Sequence, residues 1–212
     1  MNLISRHLKE FISLIKFVSS VNKLYKYIKK NNLYASDLDK KVILINLVRT
    51  YNAVQISAEI YFALLFKMRG ASVHILYDDG ILLSQDTEHI ESSRLKKTLK
   101  YFRNKIFSLP IYFCDLFIEC KVKYSNLLRG HNYDKQYQGL EHHITSSLAR
   151  YYLSSTDAKS VASEKSYYED RDKLTENAYF SYNTALAADK KYKPDFILSS
   201  HGIYSTWGPF FE

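Results

Sequence analysis

The sequence predicts an α/β domain with a Rossmann-like parallel sheet flanked by helices, and three observations carry that expectation. Residues 42–48, Val-Ile-Leu-Ile-Asn-Leu-Val, are a short, nearly continuous apolar run rich in β-branched side chains, as a strand covered on both faces requires. Residues 54–68 are apolar on almost every side, which suits a helix buried against a sheet, and 72–77 read as a second strand. A strand, helix and strand in that order form a crossover unit, which is parallel and right-handed. Near the other end, Pro194-Asp195 introduces Phe196-Ile197-Leu198-Ser199-Ser200, a further strand of buried type.

The elements follow in order. The first thirty residues read as an amphipathic, basic helix: Ile4, Leu8, Phe11, Ile15 and Val18 recur at spacings of three and four, while Arg6, Lys9, Ser13, Lys16, Ser20 and Lys23 take the opposite face. Such a helix either packs its apolar stripe on the domain or lies on an anionic membrane surface. Residues 1–40 are therefore an N-terminal helical segment, and 41–212 the Rossmann-like domain. Arg69-Gly70 ends the helix of 54–68 with a cation and a glycine that tolerates the left-handed region. Asp78-Asp79-Gly80 closes the second strand with turn chemistry. Residues 86–105 turn helical again, 111–123 fit a buried strand or a helix, and 130–139 read as a loop. Residues 141–153 and 165–190 are two further helices, so the domain carries a helical insertion before its last strand.

Composition bounds the function. With 212 residues, 46% hydrophobic and 25% charged, the chain can bury a sizeable core and is neither disordered nor fibrous. Its net charge of +8 favours anionic partners, whether lipid headgroup, sugar nucleotide or nucleic acid. The basic residues are scattered over helices and no nucleic-acid-binding signature accompanies them, so nucleic acid is not expected as a partner. Cys114 and Cys120 are the only cysteines; two thiols make neither a disulfide framework nor a zinc site, which suits a reducing cytoplasm. No run of eighteen or so apolar residues is present, so a cytoplasmic protein, at most peripheral on the inner membrane face, is expected.

In open parallel sheets, ligands bind at the carboxyl ends of strands. Candidate residues there are Asn46, Arg49 and Asn52 after the first strand, Asp79 and Gly80 after the second, and Ser200, His201, Gly202, Tyr204 and Trp207 after the last. Aromatic faces with hydroxyls fit a sugar site, because rings stack on pyranose and hydroxyls meet its OH groups. Ordinary turn chemistry accounts for the glycines as well.

The ending Pro-Asp-Phe-Ile-Leu-Ser-Ser-His-Gly-Ile-Tyr-Ser-Thr-Trp-Gly-Pro, residues 194–209, resembles the PD-x-x-x-x-SHG-x-Y-x-x-WG pattern of bacterial capsule and surface-polysaccharide glycosyltransferases of GT-B architecture. Arg69-Gly70-Ala71-Ser72-Val73 with Tyr77-Asp78-Asp79-Gly80, Tyr137-Gln138-Gly139-Leu140, and Ser147-Leu148-Ala149-Arg150-Tyr151 are similar to its upstream parts, so the resemblance spans roughly residues 40–212. It implies the N-terminal, acceptor-side domain of an enzyme that moves a sugar from a nucleotide donor to a glycan or lipid-linked acceptor. The C-terminal, donor-binding domain would lie beyond Glu212, and without it normal turnover is not expected. His201 would face the cleft as a hydrogen-bond donor or a base, and Asp79 would orient or deprotonate an acceptor hydroxyl. Gly202 would allow close backbone approach, while Asn46, Arg49 and Asn52 would line the mouth.

Other signals are read as structural. Asp37-x-Asp39 and Asp170-x-Asp172 match a DxD pair, but such pairs are common in charged chains. His142 and His143 are adjacent, so on a helix they are expected to diverge, and no metal is expected. No cofactor is implied beyond the nucleotide-sugar substrate, since neither a Gly-rich phosphate loop nor a GxSxG elbow occurs. The alternative functions are a catalytically incomplete glycan-binding or docking module and, ranked after it, a nucleic-acid-binding protein.

Overall fold

Four parallel strands in the order β3-β2-β1-β4, flanked by helices, make the chain an α/β protein. The computed structural model describes residues 3–48, 53–82, 106, 109–129, 138–153, 164–199 and 208–212. The chain divides into two units: residues 1–77, 98–123 and 193–198 form the first, and 78–97, 124–192 and 199–212 the second.

The first unit holds the sheet. Helix α1 (Leu3–Asn31) leads to β1 (Val42–Asn46), α2 (Ala53–Met68) and β2 (Ser72–Tyr77). Strands β1 and β2 pair in parallel from Val42 opposite Ser72 to Asn46 opposite Leu76, the geometry that the strand, helix, strand order predicts. Ile43, Leu44 and Ile45 are buried, as are Ile75 and Leu76, the burial expected of parallel strands in a sheet flanked by helices.

Residues 111–123, which periodicity leaves open between strand and helix, are divided among three elements, the first of which begins at Leu109. A 3-10 turn (Leu109–Phe113) is followed by α3 (Asp115–Cys120) and a three-residue edge strand, β3 (Lys121–Lys123), paired with Ile75–Tyr77 of β2. Apolar content alone cannot divide such a stretch, since its buried residues serve a helix and a turn in succession. Cys114 and Cys120 are both buried and free, and burial pushes the Cys120 thiol up to about 12, which leaves it unreactive.

The last strand, β4 (Phe196–Ser199), differs from expectation. Phe196 is 55% and Ile197 38% exposed, so this is a partly open edge beside β1 and not a strand covered on both faces. Its attachment is polar: Asp195 accepts from the Val42 amide (2.8 Å) and from Lys41 Nζ (2.7 Å), while its own amide donates to the Val42 carbonyl (2.8 Å). The Pro-Asp dipeptide therefore fastens β4 to the start of β1.

Helix α1 has the expected period but a different phase. Leu14, Val18, Val21, Tyr25 and Ile28 form the buried line, whereas Leu8 (50%) and Ile15 (45%), which the sequence places on the same apolar stripe as Val18, are exposed. Contact with α2, α3 and the 109–113 turn selects the line, and one helical position of rotation moves Ile15 off it. No helix among the described residues is long and apolar enough to cross a membrane.

Glu119 on α3 ties this packing together. It meets Lys29 of α1 at 2.9 Å and Lys67 of α2 at 3.3 Å. Partial burial acts to raise its pKa, but the two lysines and the Tyr25 hydroxyl outweigh that and hold the carboxyl at about 2. A folded pKa below the unfolded value means stability that is complete above the unfolded pKa and is lost as pH falls toward the folded one. Because the side chain is 39% exposed, solvent screening reduces the gain to about 1 kcal/mol. Glu119→Gln is expected to destabilise the chain by about that amount at pH 7 and by much less near pH 2, as urea titrations at the two pH values would measure.

The second unit is helical in its described parts: α4 (Tyr124–Leu128), α5 (Glu141–Leu153), α6 (Glu164–Tyr192) and a closing 3-10 turn (Gly208–Phe211). Leu140, Ile144 and Leu148 pack on Leu174 and Ala178, and the Arg171–Glu141 ion pair (2.8 Å) joins α6 to α5. Tyr124 stacks obliquely on Phe210 with ring centroids 6.2 Å apart. The helix expected over 86–105 and most of the 130–139 loop fall outside the described residues.

Candidate functional site

Parallel strands end on the same side, so β2, β1 and β4 bring three consecutive carboxyl ends to one border of the sheet. Asn46 closes β1 and is wholly buried, so it is enclosed and not presented as a lining residue. Arg49 and Asn52 after β1, and Ser200, His201, Gly202, Tyr204 and Trp207 after β4, lie outside the described residues.

After β2 the geometry is explicit. The Asp78 carboxylate oxygen Oδ1 accepts from the amides of Gly80 (2.9 Å), Ile81 (2.8 Å) and Leu82 (3.3 Å), closing the turn that the Asp-Asp-Gly sequence predicts. Burial raises the pKa of this carboxyl and the three amides oppose that rise. Asp79 is engaged too: its two oxygens accept from the Ser125 amide (3.0 Å) and the Ser125 hydroxyl (2.5 Å). It satisfies a donor at the start of α4, a capping role, so proton abstraction would compete with these bonds. Gly80 has φ +110, and a side chain there would meet open space.

The densest group of chemically versatile side chains among the described residues lies elsewhere in the second unit. His142 and His143, on the first turn of α5, do not diverge: their ring centroids are 3.6 Å apart. Both Nε2 atoms approach the same oxygen of Glu212, His143 at 2.9 Å and His142 at 3.6 Å. His142 Nδ1 lies 2.9 Å from the Gly139 carbonyl; because a carbonyl only accepts, Nδ1 carries the proton. The His143 side chain is 1% exposed and that of His142 59%. An ideal Cβ on Gly208 would fall 2.0 Å from His143 Nδ1, so the imidazole occupies the space that any other residue at 208 needs. Expectation fails here because Cβ directions 100° apart on a helix do not fix where long side chains end.

Two other features have structural partners. Asp37 of the first DxD pair binds Arg69, whose Nε donates at 2.7 Å, and this bond holds the Asp37 carboxyl below the usual range. Asp170 of the second is 3.4 Å from Lys173 on the same helix. On the first unit, an apolar groove of about 610 Å³ runs between α1 and the 109–113 turn, with Phe11, Ile15, Leu109, Phe113, Lys23 and Lys26 among its lining residues. Compared with protein-family models, curated proteins and solved structures, the chain finds no match.

Proposed function

We propose that this chain is the acceptor-side, N-terminal domain of a GT-B type glycosyltransferase that builds bacterial surface polysaccharide. The observation that carries the reading is the run 194–209, which resembles the family's PD-x-x-x-x-SHG-x-Y-x-x-WG pattern and stands at the strand adjoining β1 in a parallel sheet. Two of its residues have structural roles in this chain. Asp195 fastens β4 to β1, and Gly208 makes room for His143. In this reading the sugar acceptor meets Ser200, His201, Gly202, Tyr204 and Trp207, and a donor domain beyond Glu212 supplies the nucleotide-sugar site. Its place is the inner face of the cytoplasmic membrane. Exposed Leu8, Ile12 and Ile15 on α1, with Lys23 in the lining of the groove, supply apolar and cationic contacts for an anionic bilayer.

Ligand-detected NMR of the chain with surface-glycan oligosaccharides and sugar nucleotides tests this. Oligosaccharides are expected to bind, and His201→Ala to weaken them about tenfold, the equivalent of about 1.4 kcal/mol for a lost hydrogen bond. Absence of saccharide binding, or binding indifferent to His201, would remove the acceptor role. Cosedimentation with anionic but not neutral vesicles, reduced by Ile15→Asp, is the expected membrane result; equal behaviour with both vesicle types would remove that part alone.

A further inference from the structure

We infer that His142, His143 and Glu212 form a binding site for a divalent transition-metal ion, with zinc the class their donors fit. Two imidazole nitrogens and a carboxylate oxygen are the donor set of open zinc centres, in which three protein ligands leave a fourth position for water or substrate. Each of the three residues here offers one donor atom, and all three donors lie within 4.8 Å of one another. Zinc bond lengths place neighbouring donors of a tetrahedron about 3.4 Å apart. The two nitrogen-to-oxygen separations, 2.9 and 3.6 Å, fall on either side of that spacing.

Two further observations fit a metal better than a simple ion pair. His142 Nδ1 donates to the Gly139 carbonyl, the second contact that commonly orients a ligating histidine, and in the neutral ring this leaves the lone pair on Nε2, toward Glu212. His143 is enclosed and its ring fills the space beside Gly208, so one ligand is preorganised. On binding, the metal takes the place of the proton that His143 Nε2 shares with Glu212, and the ring passes to the tautomer protonated at Nδ1, so the imidazole stays neutral. The 59% exposure of His142 keeps one side of the group open to solvent, where the fourth ligand would enter. The assignment is independent of the glycosyltransferase reading.

Co2+ serves as a spectroscopic probe on the full chain. Wild-type protein is expected to bind one Co2+ with the visible absorption of a low-coordinate site and to release it to Zn2+. Glu212→Gln keeps the side chain's size, and His142→Ala changes an exposed ring, so both variants should stay folded. Each is expected to weaken Co2+ binding by more than about 100-fold, beyond what loss of an outer-shell partner costs. If the wild type takes up no Co2+, or if the folded variants bind it as tightly as the wild type, the three residues are a hydrogen-bonded fastening and the metal site is refuted.

Discussion

Gly208→Ala is expected to destabilise the chain by about 2–3 kcal/mol and to lower its melting temperature by about 5–10 °C. The cause is steric. The new Cβ would lie 2.0 Å from His143 Nδ1 and 2.3 Å from Cε1, far inside contact distance, so the ring must leave. A surface side chain would rotate away at little cost, but His143 is 1% exposed and hydrogen-bonded to Glu212. Its rotation breaks that bond and leaves a buried polar ring to be accommodated elsewhere. His143→Ala in the same chain separates the causes: if the clash dominates, Gly208→Ala adds little destabilisation on the His143→Ala background, as thermal unfolding of the double-mutant cycle would read. Full additivity would mean that the glycine is needed for some other reason.

The largest effect on the first unit is expected from Gly70→Ala, at about 3 kcal/mol in urea unfolding. Gly70 has φ +92, and an added Cβ would stand 2.7 Å from the Ala35 carbonyl oxygen, a backbone atom that cannot rotate aside. The position ends α2 in a Schellman arrangement: the Ala71 amide donates to the Phe66 carbonyl (3.1 Å) and the Gly70 amide to Lys67 (3.0 Å). The chain before β1 completes the helix end, since the Ala35 amide donates to the Met68 carbonyl (2.7 Å) and Leu38 to Arg69 (2.9 Å). Widening the gap at Gly70 therefore loosens two segments. Gly70→Asn decides between strain and collision: asparagine tolerates positive φ but still carries a Cβ. It is expected to be nearly as damaging as alanine; a near-native midpoint would show that φ strain alone matters.

How much of this was legible differs by residue. The Val42–Asn46 and Ser72–Tyr77 strands, the α2 helix between them and its glycine stop follow from side-chain types, because covered parallel strands and buried helices need apolar surface on every side. The Asp78 turn was readable because one short side chain bonds its own following amides. In the candidate sites, the sequence could nominate Asn46 and Asp79 by their place at or just after strand ends but not their engagement. Only the fold turns Asp79 onto Ser125 and encloses Asn46.

By itself, then, the sequence determined the α/β class, the parallel crossover and the local stops, all of which depend on residues within one or two turns of each other. The tertiary structure decided which line of α1 is buried, how residues 109–123 divide, why β4 is an edge held by Asp195, and that two adjacent histidines share one carboxylate from 69 residues away. These depend on contacts between distant segments, and periodicity along a chain carries no record of which distant segment will supply the contact.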